Sequence, residues 1–293
     1  MKKILYIIAV SAVVGLVSCN KTAVTPDSEE SGLVSFRLGG PAFTAEMMTK
    51  ATAVTQDNLT GFNVAAATGT AGSAEVNVWN CAFTKNGSVF TSDKVWPSTN
   101  PGYHFYASNA AITLGASGAS VAATNATDVV CAYLPAGDVG YKSTNTLSFE
   151  HVFARIGETT VSAATGYTLS GVSITLVPKT GGTYNLFSGA GKSDGTGWSS
   201  VSNGSTIGIA NATAGTKAND IYLVPGTYEL TASWTATKGD YTQTFTDKKK
   251  TVAIVGGKVN KLSTTLGGSA DEIEFSVTVN PWGENTIPVS FDM

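Results

Sequence analysis

Apolar side chains recur at every second position along most of this chain, in short runs closed by Gly, Pro or Asn. Period-two alternation puts one face of a strand in a core and the other in water, whereas a helix needs a period near 3.6. Val34, Phe36 and Leu38 illustrate the pattern, and Gly39-Gly40-Pro41 ends it. Further runs lie at 61–67, 74–84, 103–108, 128–134, 171–178, 219–224, 227–236, 241–246, 272–280 and 287–293. Two longer ones, 147–163 and 251–266, carry glycines at 157 and at 256–257, where a strand bulges or bends. Asn86-Gly87 and Pro225-Gly226 are turn dipeptides. No apolar stripe at helical spacing is long enough for a stable helix. The chain is expected to be all-β, built as sandwiches.

Charged residues make up only 13% of the 293 residues, so the chain is too apolar for disorder, and β-branched and aromatic residues favour strands over helical bundles. The formal net charge is −3 and no Lys/Arg-rich segment stands out, which leaves nucleic-acid binding without electrostatic support.

The N-terminus has a different character. Met1-Lys2-Lys3 is a short basic region, 4–15 is an uncharged apolar run, and Leu16-Val17-Ser18-Cys19 follows. The run is shorter than the 20 or so residues of a membrane span, and its order is that of a secretory signal. Leu-Val-Ser-Cys resembles the lipobox of bacterial lipoproteins. That resemblance implies cleavage before Cys19, acylation of its thiol and attachment to outer-membrane lipid; ordinary secretory cleavage beside an incidental cysteine is the alternative. Residues 20–31 include Pro26, Asp27, Glu29 and Glu30 and lack periodicity, as a solvated tether does. Acidic residues just after such a cysteine loosely resemble the surface-export signal of Bacteroidetes lipoproteins.

The expected organisation is therefore a signal over 1–18, a tether over 19–31, and two tandem β-sandwiches over 32–145 and 146–293. About 275 residues after the signal suit two modest domains. Cys81 and Cys131 remain, each in an apolar strand-like segment, and either they bridge or they are two separate buried thiols.

Catalytic signatures are sparse. His104 and His151 sit inside apolar runs with no second ligand at metal spacing, so packing roles are expected and no cofactor is implied. Gly189-Ala190-Gly191-Lys192-Ser193 has Leu186 where a phosphate loop needs its first Gly, and is read as a surface turn. No Gly-x-Ser-x-Gly elbow is present. The chain is read as a non-enzyme. Trp198, in a turn-like Gly-Thr-Gly-Trp-Ser-Ser, is the one tryptophan that reads as loop-borne and could offer an aromatic platform to a glycan; Trp79, Trp96 and Trp234 read as core.

Four segments, in order, resemble the fimbrillin (Mfa-like) family of Bacteroidetes. They are Met48-Thr49-Lys50-Ala51-Thr52 leading to 59–64; Trp96-Pro97 followed by Tyr103-His104-Phe105-Tyr106-Ala107-Ser108; Asp128-Val129-Val130 followed by 147–156; and 273–282, ending in Trp282. The resemblance implies tandem transthyretin-like β-sandwiches, surface exposure or residence in fimbriae, and other pilus subunits, copies of itself, or a host or bacterial surface ligand as partners. It also implies, for shaft pilins, proteolytic loss of an N-terminal strand whose groove a neighbour's strand then fills. Lys50 matches the family's basic residue before the first retained strand; Arg37 is the other candidate for cleavage but lies within the strand itself. A lipid-anchored glycan-binding protein is the competing reading.

The two ends of the chain echo each other. Val34-Ser35-Phe36-Arg37-Leu38 is matched by Val289-Ser290-Phe291-Asp292-Met293, preceded by Ile287. A strand that copies the first could fill the same pockets in a neighbour, or it could close its own sheet.

Overall fold

A computed structural model describes residues 32–39, 54–268 and 275–281. The strands, in chain order, begin with β1 (Leu33–Gly39), β2 (Gly61–Thr70), β3 (Ala74–Asn86), β4 (Val89–Val95), β5 (His104–Ser108), β6 (Ile112–Gly115) and β7 (Gly118–Thr124). Next come β8 (Val130–Leu134), β9 (Thr144–Ser148), β10 (Glu150–His151), β11 (Ala154–Ala163), β12 (Thr168–Leu176), β13 (Lys179–Asn185) and β14 (Trp198–Asn203). The last are β15 (Ile207–Gly208), β16 (Gly215–Leu223), β17 (Gly226–Lys238), β18 (Tyr241–Ile254), β19 (Lys258–Leu266) and β20 (Phe275–Pro281). One short 3-10 turn, Ala136–Asp138, is the only helical element among the described residues. The chain is all-β.

Eight strands form one sheet in the order β10-β8-β5-β2-β3-β4-β1-β9. Phe36 on β1 and Phe105 on β5 stand four strand positions apart, roughly 19 Å in a flat sheet, yet their ring centroids are 5.1 Å apart. The sheet is therefore curled around its own core, which holds Phe36, Phe62, Phe83, Phe90, Trp96 and Phe105. A second core lies between the sheets β16-β11-β19-β20 and β15-β12-β17-β18, which pack face to face around Ile156, Ile174, Leu230, Trp234 and Leu262.

The third core joins them. It gathers Ala65, Tyr106 and Cys131 from the outer face of the curled sheet, Val121 and Tyr184 from the sheet β14-β13-β7-β6, and Phe153, Tyr222, Val224 and Val259. In that middle sheet β7 pairs with β13, so strands from either side of position 145 share hydrogen bonds. The position itself falls within β9.

The run 147–163 is divided: β9 ends at Ser148, β10 pairs with β8, and β11 starts another sheet. The physical reason is the burial of Phe149, Val152 and Phe153 between those strands, which turns the backbone out of each ladder in succession. Gly157 does mark a bulge in β11, where an added Cβ would stand 2.6 Å from Val259. Likewise 251–266 contains the end of β18 and all of β19, separated by a turn with Gly257 at φ 63°. Phe105 and Phe153 are fully buried and Phe149 nearly so, while the Phe275 side chain lies outside the described residues.

A repeated device appears in both halves. Asn145 accepts a hydrogen bond from the Gly140 N–H and donates to the carbonyls of Gly140 and Ser143. Asn260 treats Val255 and Lys258 in the same way, five and two residues back. Three residues before each stands a positive-φ residue, Lys142 (56°) and Gly257 (63°). Asn145 then pairs in parallel with β1 opposite Phe36, as Asn260 does with β11 opposite Ile156. β1 and β9 of the first half thus correspond to β11 and β19 of the second.

Candidate functional site

β1 lies inside its sheet, antiparallel to β4 and parallel to β9. Val34 and Phe36 are fully buried, Leu38 is half-buried, and Arg37 points to solvent between them. Phe36 meets the edges of Phe83 and Phe105, each at 5.1 Å between centroids, a geometry worth more than area alone. Phe90 stands opposite Phe36 on β4, and Leu147 opposite Leu38 on β9. The Ser35 and Thr144 hydroxyls are hydrogen-bonded at 2.9 Å.

Two features set this strand apart. Its hold on β4 is brief, at Leu33, Ser35 and Phe36 with an irregularity between, whereas its counterpart β11 runs in register with β16 and β19 over nearly its whole length. And β9 has no ladder partner besides β1 among the described residues. Loss of β1 would bare the facing edges of β4 and β9 and open the pocket lined by Phe83, Phe90, Phe105 and Leu147. A replacement strand running in the direction of β1 would keep both present ladders, antiparallel to β4 and parallel to β9.

Of the residues singled out from sequence, Arg37 is exposed but its backbone sits in the ladder opposite Thr146, out of reach of a protease that needs extended, unpaired chain. Cys19, Lys50 and the echo strand with Ile287, Val289, Phe291 and Met293 lie outside the described residues.

The disulfide considered between Cys81 and Cys131 is not formed. Cys81 stands opposite Val64, which stands opposite Ala107 and then Ala132, a row facing the first core. Cys131 stands opposite Ser108, in the adjoining row that faces the third core. A one-residue offset across a sheet places two side chains on opposite faces, so no rotamer joins them. Burial pushes the Cys131 thiol up to about 12, and it donates to the Ser108 hydroxyl at 3.4 Å.

The aromatic platform is also corrected. Trp198 opens β14, packs its ring 4.9 Å from Phe153 and 5.4 Å from Tyr184, and donates its indole N–H to the Val152 carbonyl. It is half-buried against the third core, with one strand-borne ring in place of a loop-borne one. Trp96 and Trp234 are buried, and Trp79 packs against Phe83 and Phe105. Gly189–Ser193 is a turn in which the Gly191 N–H donates to the Glu150 carboxylate.

Each histidine faces a carboxylate far away in sequence. His104 Nε2 is 3.7 Å from Glu75 Oε1, with both side chains buried, and Tyr106 and the Gly72 N–H donate to the same oxygen. His151 Nδ1 donates to Asp128 Oδ1 at 2.8 Å, also fully buried. Sequence spacing missed both pairs because tertiary folding brings together residues 29 and 23 positions apart. No group of three His, Cys, Asp or Glu side chains able to hold a metal ion occurs among the described residues.

No protein-family model and no curated protein matches the sequence. Among solved structures, a candidate cell adhesion protein from Parabacteroides distasonis is similar at a TM-score of 0.52 and 12% identity, covering 85% of this chain and 96% of that one. A fimbrial protein from Bacteroides vulgatus gives 0.48 at 14% identity, covering 76% of this chain and 93% of that one. A candidate cell adhesion protein from Bacteroides eggerthii gives 0.47 at 14%, with 86% and 96% covered. The first of these shows a shared fold.

Proposed function

We propose that this chain is a fimbrillin-type cell-surface protein, a pilus subunit or an accessory or tip adhesin, that works by strand pairing and pocket filling without catalysis. The observation that carries this reading is β1: a short strand with two fully buried apolar side chains that, among the described residues, is the one ladder partner of β9. The fold shared with a candidate adhesion protein supports it. In this reading the chain is exported, acylated at Cys19 and held on the outer membrane with its folded part outward. A cut after Lys50 frees lipid, tether and β1 together.

The vacated groove then takes residues 287–293 of a neighbouring copy or subunit. Val289, Phe291 and Met293 repeat the spacing of Val34, Phe36 and Leu38, and Ser290 matches Ser35, whose hydroxyl meets that of Thr144. Parallel alignment with β9 is met when the echo runs in the same direction as β1. Filling three apolar positions contributes roughly 1.5–3 kcal/mol each before ordering costs, added to two ladders of backbone hydrogen bonds.

Treating the purified protein with a trypsin-like protease, followed by size exclusion and electron microscopy, tests this. The cut form should assemble into oligomers or filaments, and Phe291→Asp should leave it monomeric and folded. Monomers at high concentration after complete cleavage would sink strand exchange. Labelled fatty acid should enter the wild type and not Cys19→Ala; equal labelling would sink the lipid anchor.

A further inference from the structure

Seven residues before β2, the backbone of Val54 meets a buried carboxylate. The Val54 N–H donates to Asp128 Oδ2 at 2.8 Å, while the other oxygen of Asp128 takes the Nδ1–H of His151, also at 2.8 Å. Both side chains are at most 3% exposed. Asp128 sits in the loop between β7 and β8, and its own carbonyl accepts from the Asn109 side chain, whose oxygen accepts the Val130 N–H. A reciprocal turn follows at once: Thr55 N–H donates to Asn58 Oδ1, Asn58 N–H to Thr55 Oγ1, and Leu59 N–H to the Thr55 carbonyl. Leu59 is buried and leads into β2.

None of these bonds involves β1. β1 and β2 are not neighbours in the sheet either, since β3 and β4 lie between them. We infer that Asp128, oriented by His151, is a latch that fixes where the chain enters β2, so that β1 can be released without unzipping β2. The part concerning release rests on the strand-exchange reading above. His151 is a positioning residue: it holds the carboxylate so that its second oxygen faces the Val54 N–H. A charge-assisted bond to a backbone N–H in a dry site is stronger than a neutral one, and breaking it costs the buried Oδ2 its bond to the Val54 N–H. Val54 is then anchored at the junction of the curled sheet and the third core, to which Val129 and Val152, the chain neighbours of Asp128 and His151, belong.

Residue-level hydrogen exchange on the intact chain tests the latch independently of any cleavage. In the wild type the Val54 amide should exchange slowly. In Asp128→Ala and His151→Leu it should quicken by about tenfold or more, while Phe62 and Val64 within β2 keep their protection. His151→Asn, whose amide N–H stands near the place of the ring Nδ1–H, should restore slow exchange at Val54. If Asp128→Ala does not fold, the two His151 variants carry the same test. Fast exchange at Val54 in the wild type, or no response to the variants, overturns the latch. Equal quickening of Phe62 and Val64 also overturns it, because the pair would then be general core support. After cleavage at Lys50, β2 should stay protected in the wild type and fray in His151→Leu. Fraying in both would deny release without unzipping. Monomers with the intact-chain pattern unchanged would instead deny the strand-exchange reading alone.

Discussion

At the scale of single residues, facing decides more than identity. Cys81 and Cys131 are both buried in strands of one sheet, yet they serve different cores because their rows are offset by one residue. Intact-mass measurement should find no loss of two protons, and reductant should leave the melting temperature unchanged. The alkaline limb of stability is set by the same burial. An unfolded thiol ionises near 9.0, whereas folded Cys131 is held up to about 12, first by desolvation. The folded state therefore keeps its proton longer. That contribution is full below about pH 9 and is lost as pH rises towards 12. Tyr184, Tyr222 and Tyr228 are held above their ordinary value by burial and act with the same sign. Cys131→Ala should flatten part of the decline in denaturation midpoint over this window, and an unchanged slope would contradict the assignment.

At the scale of elements, the two asparagine-buckled turns show how one solution is used twice. Asn145 and Asn260 are both buried, and each ties a left-handed turn to a parallel strand pair. Replacing either with Ala strands a backbone N–H and two carbonyls, a cost of about 1–3 kcal/mol. The two sites lie in separate sheets, so urea denaturation of the double variant should give close to the sum. The edge strand β18 shows a different device. Its Asp247-Lys248-Lys249-Lys250 stretch projects charge from an open edge, with Asp247 at φ 50° and Lys249 paired to Glu229. Charge and local twist are what keep such an edge from pairing with another chain. β1 is the opposite case: it is short, interior and paired on both sides, with its apolar side chains in the core.

At the scale of the whole molecule, the third core ties the halves together. Phe153, Tyr184, Val224 and Val259 pack there against residues from before position 145, and β13 takes β7 as one of its two partners. A fragment spanning 146–293 would expose that surface and leave β13 with one partner. It should aggregate or bind a hydrophobic dye, and a monomeric fragment with native exchange protection would show that the second half stands alone. Phe153→Ala should cost about 3–5 kcal/mol and lower the unfolding midpoint of both halves as followed by Trp79 and Trp234 fluorescence in single-tryptophan variants.

The alternation of Val34, Phe36 and Leu38, and of the runs that became β2, β3, β5, β8 and β17, made the all-β class legible in sequence, because burying one face of a strand imposes period two. The first strand and the core tryptophans were legible for the same reason. β4, β6, β7, β13 and β14 were not, since Gly-Ala-Ser-Val-Ala-Ala-Thr and Lys-Thr-Gly-Gly-Thr-Tyr-Asn carry little apolar signal. Gly181 and Gly182 serve where an added Cβ would stand 2.5 Å from the Ala123 carbonyl and 2.6 Å from that of Ser199, a close approach no local pattern announces. Trp198 looked loop-borne because its neighbours are turn residues, and only the pairing of β14 and its packing over Phe153 set it half-buried against the third core. The pairing of Asp128 with His151 and Val54, the place of β1 between β4 and β9, and the opposite facing of the cysteines depend on which strands meet and in what register. Sequence fixes the period of each strand; long-range hydrogen bonding and the curl of the sheet decide its neighbours.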